Sequence, residues 1–509
     1  MMQMQSLQAQ MKAMQAQIDK QAAEEKKTTA AAPATGEFLQ RTSDSSLSFK
    51  MPSGGGVTLY GNLDVSLDDV TNGINSAPNN TGGAINVPYG KNGYLPAISS
   101  NNTNVGLRGF QPIAGMSTTQ FVWQVQANFG VSINSGTRMT NSNQSNSVGG
   151  TLASGTSYIG LASKEWGSMK VGKTYAPYQS ATDVFNPFAG QLGNMNVVMG
   201  NSGGDNRVEF GTPLEHSIWY GSPDYNGFSY AALYSPGQNR AVDSSAIPSG
   251  SSDCAGGNIP GSGGSVSPGG VFACNDGSFS NVVSANVVYD NKKDWYLTAA
   301  YEMHQNVNRS SDLAPGTLGF TNDQLNAMDT ANESAAKIGA LYKFDSTGTS
   351  IGAIFESLKR DVPAILNYQN ERQRNGTWLV ITQKLPDANQ LSFGWAHAGT
   401  AVGDPSQHND GGPTGIAGNP GQAPNNSANM FTLALKHQVD RNMSFYADIA
   451  ETVNSAAAHY DLGAGGHGTT TDCHDAGGPI PANGGITGSP NCWAGTHITG
   501  VSVGMNYKF

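Results

Sequence analysis

The sequence predicts an all-β protein, and three observations favour a β-barrel that spans a membrane. Only 13% of the 509 residues are charged and 65 are glycine, and no apolar run reaches the roughly 18 to 20 residues that a membrane helix needs. Stretches of alternating polar and apolar residues recur from residue 57 to the C-terminus. Short polar links between these stretches alternate with long loops, as in barrels that cross a bilayer with half-polar strands.

Composition alone leaves a second all-β architecture open. A large secreted sandwich or solenoid of Gly-, Ser- and Asn-rich strands would have a similar charge and hydropathy. The alternation of short links and long loops favours the barrel, because the strands of membrane barrels are joined by short turns on one side of the membrane and by long loops on the other.

The segment VTLYGNLDVSLDDV, residues 57–70, shows the alternation most clearly. Leu63 and Leu67 share one parity, whereas Asp64 and Asp68 share the other. Side chains on a strand point to opposite faces with a period of two, so we expect aliphatic groups toward lipid and carboxylates toward a water-filled interior. The pattern recurs in FVWQVQANFGV (121–131), AAKIGALYKF (335–344), MFTLALKHQ (430–438), MSFYADIAE (443–451) and THITGVSVGMNYKF (496–509).

Residues 1–27 have a helical pattern instead. Apolar side chains recur at alternating spacings of three and four, at Met4, Leu7, Met11, Met14 and Ile18. This seam predicts a short N-terminal α-helical coiled coil that self-associates, and another oligomer contact has to hold so short a coil together. A tail lying on a membrane surface is the alternative. Residues 28–56 are predicted to be a linker, and residues 57–509 to be the barrel.

Four cysteines fall in two pairs that bracket Gly- and Pro-rich segments. We expect one disulfide between Cys254 and Cys274 and another between Cys473 and Cys492, although four cysteines allow three pairings and zinc binding is a competing interpretation. Disulfides indicate an oxidising compartment and therefore an exported chain. The start of the sequence has no signal-peptide pattern, so we expect it to be the mature form.

Charge and motifs argue against several function classes. The formal charge of −10 and the pI near 5.3 disfavour a nucleic-acid partner, which needs a basic surface. No phosphate-binding loop, nucleophile elbow or metal-ligand spacing stands out, so we expect no catalytic residues, no cofactor and no metal site. A structural or adhesive outer-membrane barrel remains an alternative to a channel.

Several stretches resemble the general trimeric porins of Gram-negative outer membranes. They differ from the family pattern at His216, where Asn is usual, and after Gly109, where an acidic pair is missing. The stretches that carry the resemblance are VTLYGNLDVSL, NVGLRGFQPIAGM, YIGLASKEWGSMKVGKTYAPY, HSIWYGSPDYNGFSYAALYS and the terminal VGMNYKF. The resemblance implies 16 antiparallel strands, a homotrimer in outer-membrane lipid, and a water-filled pore for passive diffusion of small hydrophilic solutes and ions.

The resemblance also implies that the third external loop folds into the barrel and narrows it. The matching segment is residues 175–206, whose only charges are Asp183 and Asp205. The family usually places basic residues opposite this loop. The predicted pore-lining and constriction residues are Asp64, Arg108, Lys170, Lys173, Asp183 and Arg207.

The N-terminal coil departs from the plain family pattern. It is similar to porins with a periplasmic coiled coil ahead of the barrel, which include a dicarboxylate-channel group. We therefore expect the coil in the periplasm, where contact with peptidoglycan or a periplasmic partner stays open. Weakly selective general diffusion is the favoured function, and a channel selective for small organic anions such as dicarboxylates is the alternative.

Overall fold

A computed structural model of the chain shows one closed barrel of antiparallel strands. It describes residues 47–73, 77–78, 84–85, 91–131, 153–200, 210, 213–236, 281–308, 330–361, 373–401, 425, 427–455, 458, 460, 462–463 and 497–509. The predicted coiled coil over residues 1–27 and most of the predicted linker lie outside these residues. Among the described residues, no helix has the length and apolarity needed to cross a bilayer.

Sixteen long strands, β1 to β16, form the barrel, and each pairs with its neighbour along the chain. The 16 antiparallel strands implied by the resemblance are thereby confirmed. The second is interrupted after residue 100, and both of its halves pair with the first. The strands are β1 Gly56–Gly73, β2 Lys91–Ser100 with Asn104–Ile113, β3 Met116–Asn128, β4 Ser157–Ser163, β5 Gly167–Tyr175, β6 Pro213–Gly221, β7 Phe228–Pro236, β8 Asn281–Asp290, β9 Trp295–Asn308, β10 Thr330–Phe344, β11 Thr349–Arg360, β12 Arg374–Leu385, β13 Asn389–Ala398, β14 Ala428–Gln438, β15 Met443–Asn454 and β16 His497–Lys508.

The barrel closes between its first and last strands. β16 pairs with β15 on one side and with β1 on the other. At the seam, the backbone N–H of Phe509 donates to Gly61 O at 3.1 Å and Gly61 N–H donates to Phe509 O at 3.0 Å. The short strand Leu47–Lys50 pairs with the start of β1, in line with the end of β16. Closure leaves no long strand with an unpaired edge in the membrane.

The predicted inside–outside alternation of β1 is confirmed. Leu63 and Leu67 are 36% and 60% exposed on the outer face, whereas Asp64 and Asp68 are 4% and 0% exposed on the inner face. The other predicted strands follow the same rule. Their outer rows include the exposed side chains Ile338, Phe431, Leu433, Ile449, Val501 and Val503.

Short turns join the strands at one end of the barrel, and the connections at the other end are long, as predicted. Aromatic side chains gather near the short turns. The rings of Trp295 and Tyr342 lie 4.7 Å apart, and so do those of Phe228 and Tyr289. Such aromatic groups mark the boundary between lipid and water in membrane barrels.

The barrel interior holds apolar clusters where the β5–β6 connection meets the wall. The largest is formed by wall residues of β10 to β14 together with residues of the β5–β6 connection, among them Phe185, Phe188 and Met195. A second cluster joins Tyr178 and Phe210 to Leu214 and other wall residues. These clusters bury one side of the β5–β6 connection against the inner wall.

Candidate functional site

Residues 176–200, which we call the inner loop, leave the end of β5 and fold into the barrel. Pro177–Ser180 forms one helical turn, and Asp183–Phe185 and Met195–Val197 form 3-10 turns. The Asn194 side chain caps the last turn by accepting the Asn196 N–H at 3.1 Å. These local structures give the loop a compact backbone without strand pairing.

The first residues of the inner loop are fastened to β8. The Asn286 side-chain amide donates to Pro177 O at 2.7 Å. The backbone N–H of Tyr178 donates to Ser284 Oγ at 3.0 Å. The Tyr178 N–H lies at the start of a helical turn, where it has no acceptor within the turn, so its bond to Ser284 helps to fix where the loop enters the barrel.

The carboxylate of Glu356 on β11 holds both ends of the inner loop. It accepts the Gly200 N–H at 2.9 and 3.0 Å, the Tyr178 hydroxyl at 3.1 Å and Arg374 Nη1 at 3.2 Å. Arg374 also donates to Val198 O. Burial raises the pKa of the Tyr178 hydroxyl, and the negative charge of Glu356 raises it further, so this phenol stays a donor.

The middle of the inner loop is held by single hydrogen bonds from four further strands. Trp378 Nε1 donates to Phe185 O at 2.9 Å, and the Tyr296 hydroxyl donates to Ala181 O at 2.9 Å. Lys337 Nζ donates to the Thr182 hydroxyl at 2.6 Å. Finally, the Thr432 hydroxyl donates to Gly193 O at 3.0 Å. The loop is therefore attached along the arc from β8 to β14, and beyond this arc Leu192 packs against Val70 and Ile498.

The other side of the inner loop faces the open interior. Asp183 and Val184 are exposed there, between buried neighbours. The Asp183 side chain is open to the interior, but the barrel wall encloses it at longer range; this loss of hydration raises its pKa to about 6, and the nearby Lys337 ammonium opposes that rise in part. The charge of the Asp183 carboxylate therefore changes within the ordinary pH range.

Arg108 and Lys170 lie on the arc of the wall that does not hold the loop. Both face the interior, where parity predicted them. The Arg108 guanidinium lies 4.9 Å from the ring centroid of Tyr60, and Lys170 Nζ lies 4.6 Å from that of Tyr158. Cation–π contacts of this kind hold the positive charges close to the wall.

Lys173 lies beside a β-bulge between β5 and β6. The pairing of β5 with β6 shifts register between Leu214 and Ser217, and His216 takes a φ of +53° there. Lys173 Nζ forms an ion pair with Glu215 Oε1 at 3.2 Å. Lys173 has the parity of the outward-facing Met169 and Val171. The bulge places two residues, Glu215 and His216, opposite Lys173.

Asp64 faces inward, but neutral donors hold it. Its carboxylate accepts the Tyr446 hydroxyl at 2.8 Å, Asn506 Nδ2 at 3.0 Å and Asn101 Nδ2 at 3.3 Å. Nearby on β15, Asp448 is buried, and neither of its oxygens has a hydrogen-bond partner within the described part of the chain. This region of the wall thus concentrates carboxylates away from the inner loop's exposed side.

Several predicted site residues lie outside the described residues. They are Arg207, Asp205 and the four cysteines Cys254, Cys274, Cys473 and Cys492. The structure consequently places Asp64, Arg108, Lys170 and Asp183 inside one barrel, whereas Lys173 pairs with Glu215 beside the bulge.

Sequence reasoning missed a row of buried ion pairs beneath the inner loop. His304 Nε2 lies 2.9 Å from Glu302 Oε1, Arg360 Nε donates to Glu333 at 2.5 Å, and Arg374 pairs with Glu356. Each charged residue has the inward parity of β9, β10, β11 or β12. Charged inward positions on four successive strands were the signal that could have found them.

The sequence pattern of the Gram-negative porin family matches residues 28–457 of this chain. The chain belongs to the Gram-negative porin family. The resemblance inferred from the sequence is thus confirmed. Among curated proteins, none matches the chain.

The barrel is similar to solved porin structures, and one of them shares the fold. The anion-selective porin from Comamonas acidovorans has a TM-score of 0.54 and 14% identity over 89% of this chain and 100% of its own. OmpF of Salmonella typhi, solved with daunomycin, has a TM-score of 0.49 and 12% identity over 91% and 100%. The channel DcaP of Acinetobacter baumannii has a TM-score of 0.48 and 12% identity over 91% and 99%.

Membership of the family defines the broad function. The protein is an outer-membrane channel for passive diffusion of small solutes, as predicted. Family and fold together point to a channel and not to an enzyme. The inner face of the barrel is therefore the functional surface.

Proposed function

We propose that the inner loop is the constriction of a weakly selective diffusion pore with a small cation preference at pH 7. The observation that carries this proposal is the two-sided loop. One side is fastened to β8–β14, and the other exposes Asp183 toward the interior. Solutes then pass between Asp183 and the wall that bears Arg108 and Lys170.

The proposed selectivity is weak because many interior charges are paired. His304 pairs with Glu302, Arg360 with Glu333 and Arg374 with Glu356. A pair of opposite charges produces a weaker field along the pore than a ring of one sign. The size of a solute then affects its permeation more than its charge does.

Swelling of liposomes that contain the purified protein tests general diffusion. We expect neutral sugars to enter at rates that fall steadily with their size, because the pore has no site fitted to one of them. Liposomes without protein are the control. Entry of one solute far faster than others of its size would contradict the proposal.

Selective transport of small organic anions is the second candidate function. It is favoured by Arg108 and Lys170, which supply positive charge on the free side of the wall. The anion-selective porin of Comamonas acidovorans has the same fold. Flux of succinate compared with a neutral solute of equal size separates the candidates, and Lys170→Gln lowers the ratio only if this candidate is correct.

We also propose a homotrimer with a periplasmic coil over residues 1–27 and two loop disulfides, Cys254–Cys274 and Cys473–Cys492. The heptad-like seam and the family resemblance support the trimer and the coil. Deleting residues 1–27 should leave a trimer of lower thermal stability, since the coil adds to contacts between barrels. Cross-linking in detergent at matched protein concentration gives the oligomeric state.

A catalytic role is not part of the proposal. His304, which lies inside the barrel, is bonded to Glu302 and stacks on Phe210 with ring centroids 4.6 Å apart. A histidine held on both sides in this way serves packing and charge pairing.

A further inference from the structure

We infer that three glycines of the barrel wall, Gly339, Gly352 and Gly394, form a socket that sets the width of the pore. The rings of Phe185 and Phe188 from the inner loop pack against these glycines. The inference deepens the proposed constriction, on which it rests. It assigns the pore width to residues of the inner wall that the loop covers, so that the solute does not touch them.

The three glycines let the loop approach the wall more closely than any other residue would. A Cβ atom at Gly352 would lie 2.9 Å from Phe185 Cδ1, and one at Gly339 would lie 3.0 Å from Phe185 Cζ. At Gly394 a Cβ would lie 2.7 Å from Phe188 Cε2 and would also overlap the Trp378 ring. Carbon atoms in ordinary contact are about 3.5–4.0 Å apart, so each added Cβ displaces a ring.

The glycines lie side by side on the inner face. In the register of β10 with β11, Gly339 is opposite Ile354, while Gly352 is opposite Leu341. Val380 of β12 is opposite Gly352 on one side and opposite Gly394 of β13 on the other. Four neighbouring strands thus form one shallow depression, and glycine in a strand commonly marks such a close approach.

Both rings fill this depression completely. Phe185 and Phe188 are each 0% exposed. The Phe185 ring meets Tyr296 edge-on at 5.7 Å, and the Phe188 ring meets Trp378 edge-on at 6.0 Å. Burial and edge-to-face packing together stabilise the docked loop.

The residues next to Phe185 connect the socket to the pore. Asp183 and Val184 precede it in the chain and face the open interior. A 3-10 turn, Asp183–Phe185, joins the three residues rigidly. Any outward displacement of the Phe185 ring therefore moves Asp183 and Val184 into the solute path.

Single-channel conductance of purified variants tests the inference. Gly352→Ala should lower conductance roughly 1.5-fold and Gly352→Val further, because conduction depends on pore diameter. Ala353→Val is the matched control, since Ala353 is the adjacent residue on the lipid-facing side of β11, and it should leave conductance unchanged. Wild-type steps must be seen first, so a failure of the channel itself is distinguished from a failure of the socket.

A compensating variant separates the socket from general damage to the fold. Phe185→Leu replaces the ring with a smaller side chain. In the Gly352→Ala background it should restore most of the lost conductance. A double-mutant cycle measures this coupling. Phe355→Leu, the same change on the outer face of β11, should restore none. If Gly352→Val does not fold, Gly352→Ala and its partner variant still decide. Unchanged conductance in Gly352→Ala, or strictly additive effects in the cycle, would overturn the inference.

Discussion

Three interior carboxylates of similar sequence context have different environments. Asp64 is satisfied by Tyr446, Asn101 and Asn506. Asp448 is buried without a hydrogen-bond partner in the described part of the chain, and Asp183 borders the open interior. The environment of each carboxylate, and not its residue type, therefore determines its role. Asp64 belongs to the hydrogen-bonded wall, Asp448 is a buried group without a donor among the described residues, and Asp183 borders the solute path.

The charge of Asp183 predicts a pH-dependent selectivity. Its pKa of about 6 leaves the carboxyl neutral at pH 5 and ionised at pH 7, so cation preference should rise as the pH passes through 6. Reversal potentials across a planar bilayer under a KCl gradient measure this change. Asp183→Asn should remove most of it, and an equally large shift in that variant would contradict the assignment.

Replacing the buried Asp448 carboxyl group should stabilise the barrel. Asp448→Asn relieves a buried carboxylate that lacks a donor and lies near Asp68 and Asp64, so we expect a gain of about 1 kcal/mol. The denaturant midpoint of the folded barrel in lipid vesicles measures it. Asp361→Asn, which removes an exposed pair with Lys359, is the matched control and should change little. A lower midpoint for Asp448→Asn would show that a donor is present in the folded protein.

At the scale of elements, the inner loop depends on its contact with Glu356. The carboxylate joins the start of the loop, its end and Arg374 in one network. The contact is local in space, but Tyr178 and Glu356 are far apart in the sequence. The Glu356 carboxylate therefore holds the whole inner loop against the wall.

Glu356→Gln should weaken the attachment of the inner loop to the wall. The amide cannot neutralise the buried Arg374, and breaking such a pair costs about 3–5 kcal/mol. We expect a lower denaturant midpoint together with noisier single-channel currents. Glu165→Gln, in an exposed turn, is the matched control. Quiet currents at unchanged stability would show that other contacts suffice to hold the loop.

The sequence predicted elements better than their contacts. Alternation in residues 57–70 gave the correct inner and outer faces of β1, because a period of two needs no knowledge of neighbours. The partners of the inner loop lie more than 100 residues away, at Ser284, Glu356 and Trp378, and spacing along the chain carries no signal of them. The bulge at His216, which lies beside the Lys173–Glu215 ion pair, likewise has no signal in the spacing.

At the scale of the whole molecule, lipid contacts one face of every strand and the solute the other. Two residues of β16 show the contrast. Val503 is 63% exposed on the outer face, whereas Asn506 faces the interior and bonds to Asn62 and Asp64. The family resemblance gave the strand number, which alternation alone leaves undetermined.

The two faces should respond differently to the same positive charge. Val503→Lys should destabilise the barrel by about 2–4 kcal/mol, as lysine does near the middle of a bilayer. Asn506→Lys, three residues along the same strand, should cost less and shift the reversal potential toward anions. Folding titrations in lipid vesicles measure the first effect and bilayer recordings the second. Equal destabilisation by both substitutions would argue against the assigned faces.

The central claim is an open, water-filled pore that the inner loop narrows without closing. The most direct test is the conductance and reversal potential of the purified wild-type protein in a planar bilayer under a KCl gradient at pH 7. We predict stable conductance steps with a small reversal potential of cation-selective sign. Folded, inserted protein without conductance, or with strong selectivity for one ion, would contradict the account.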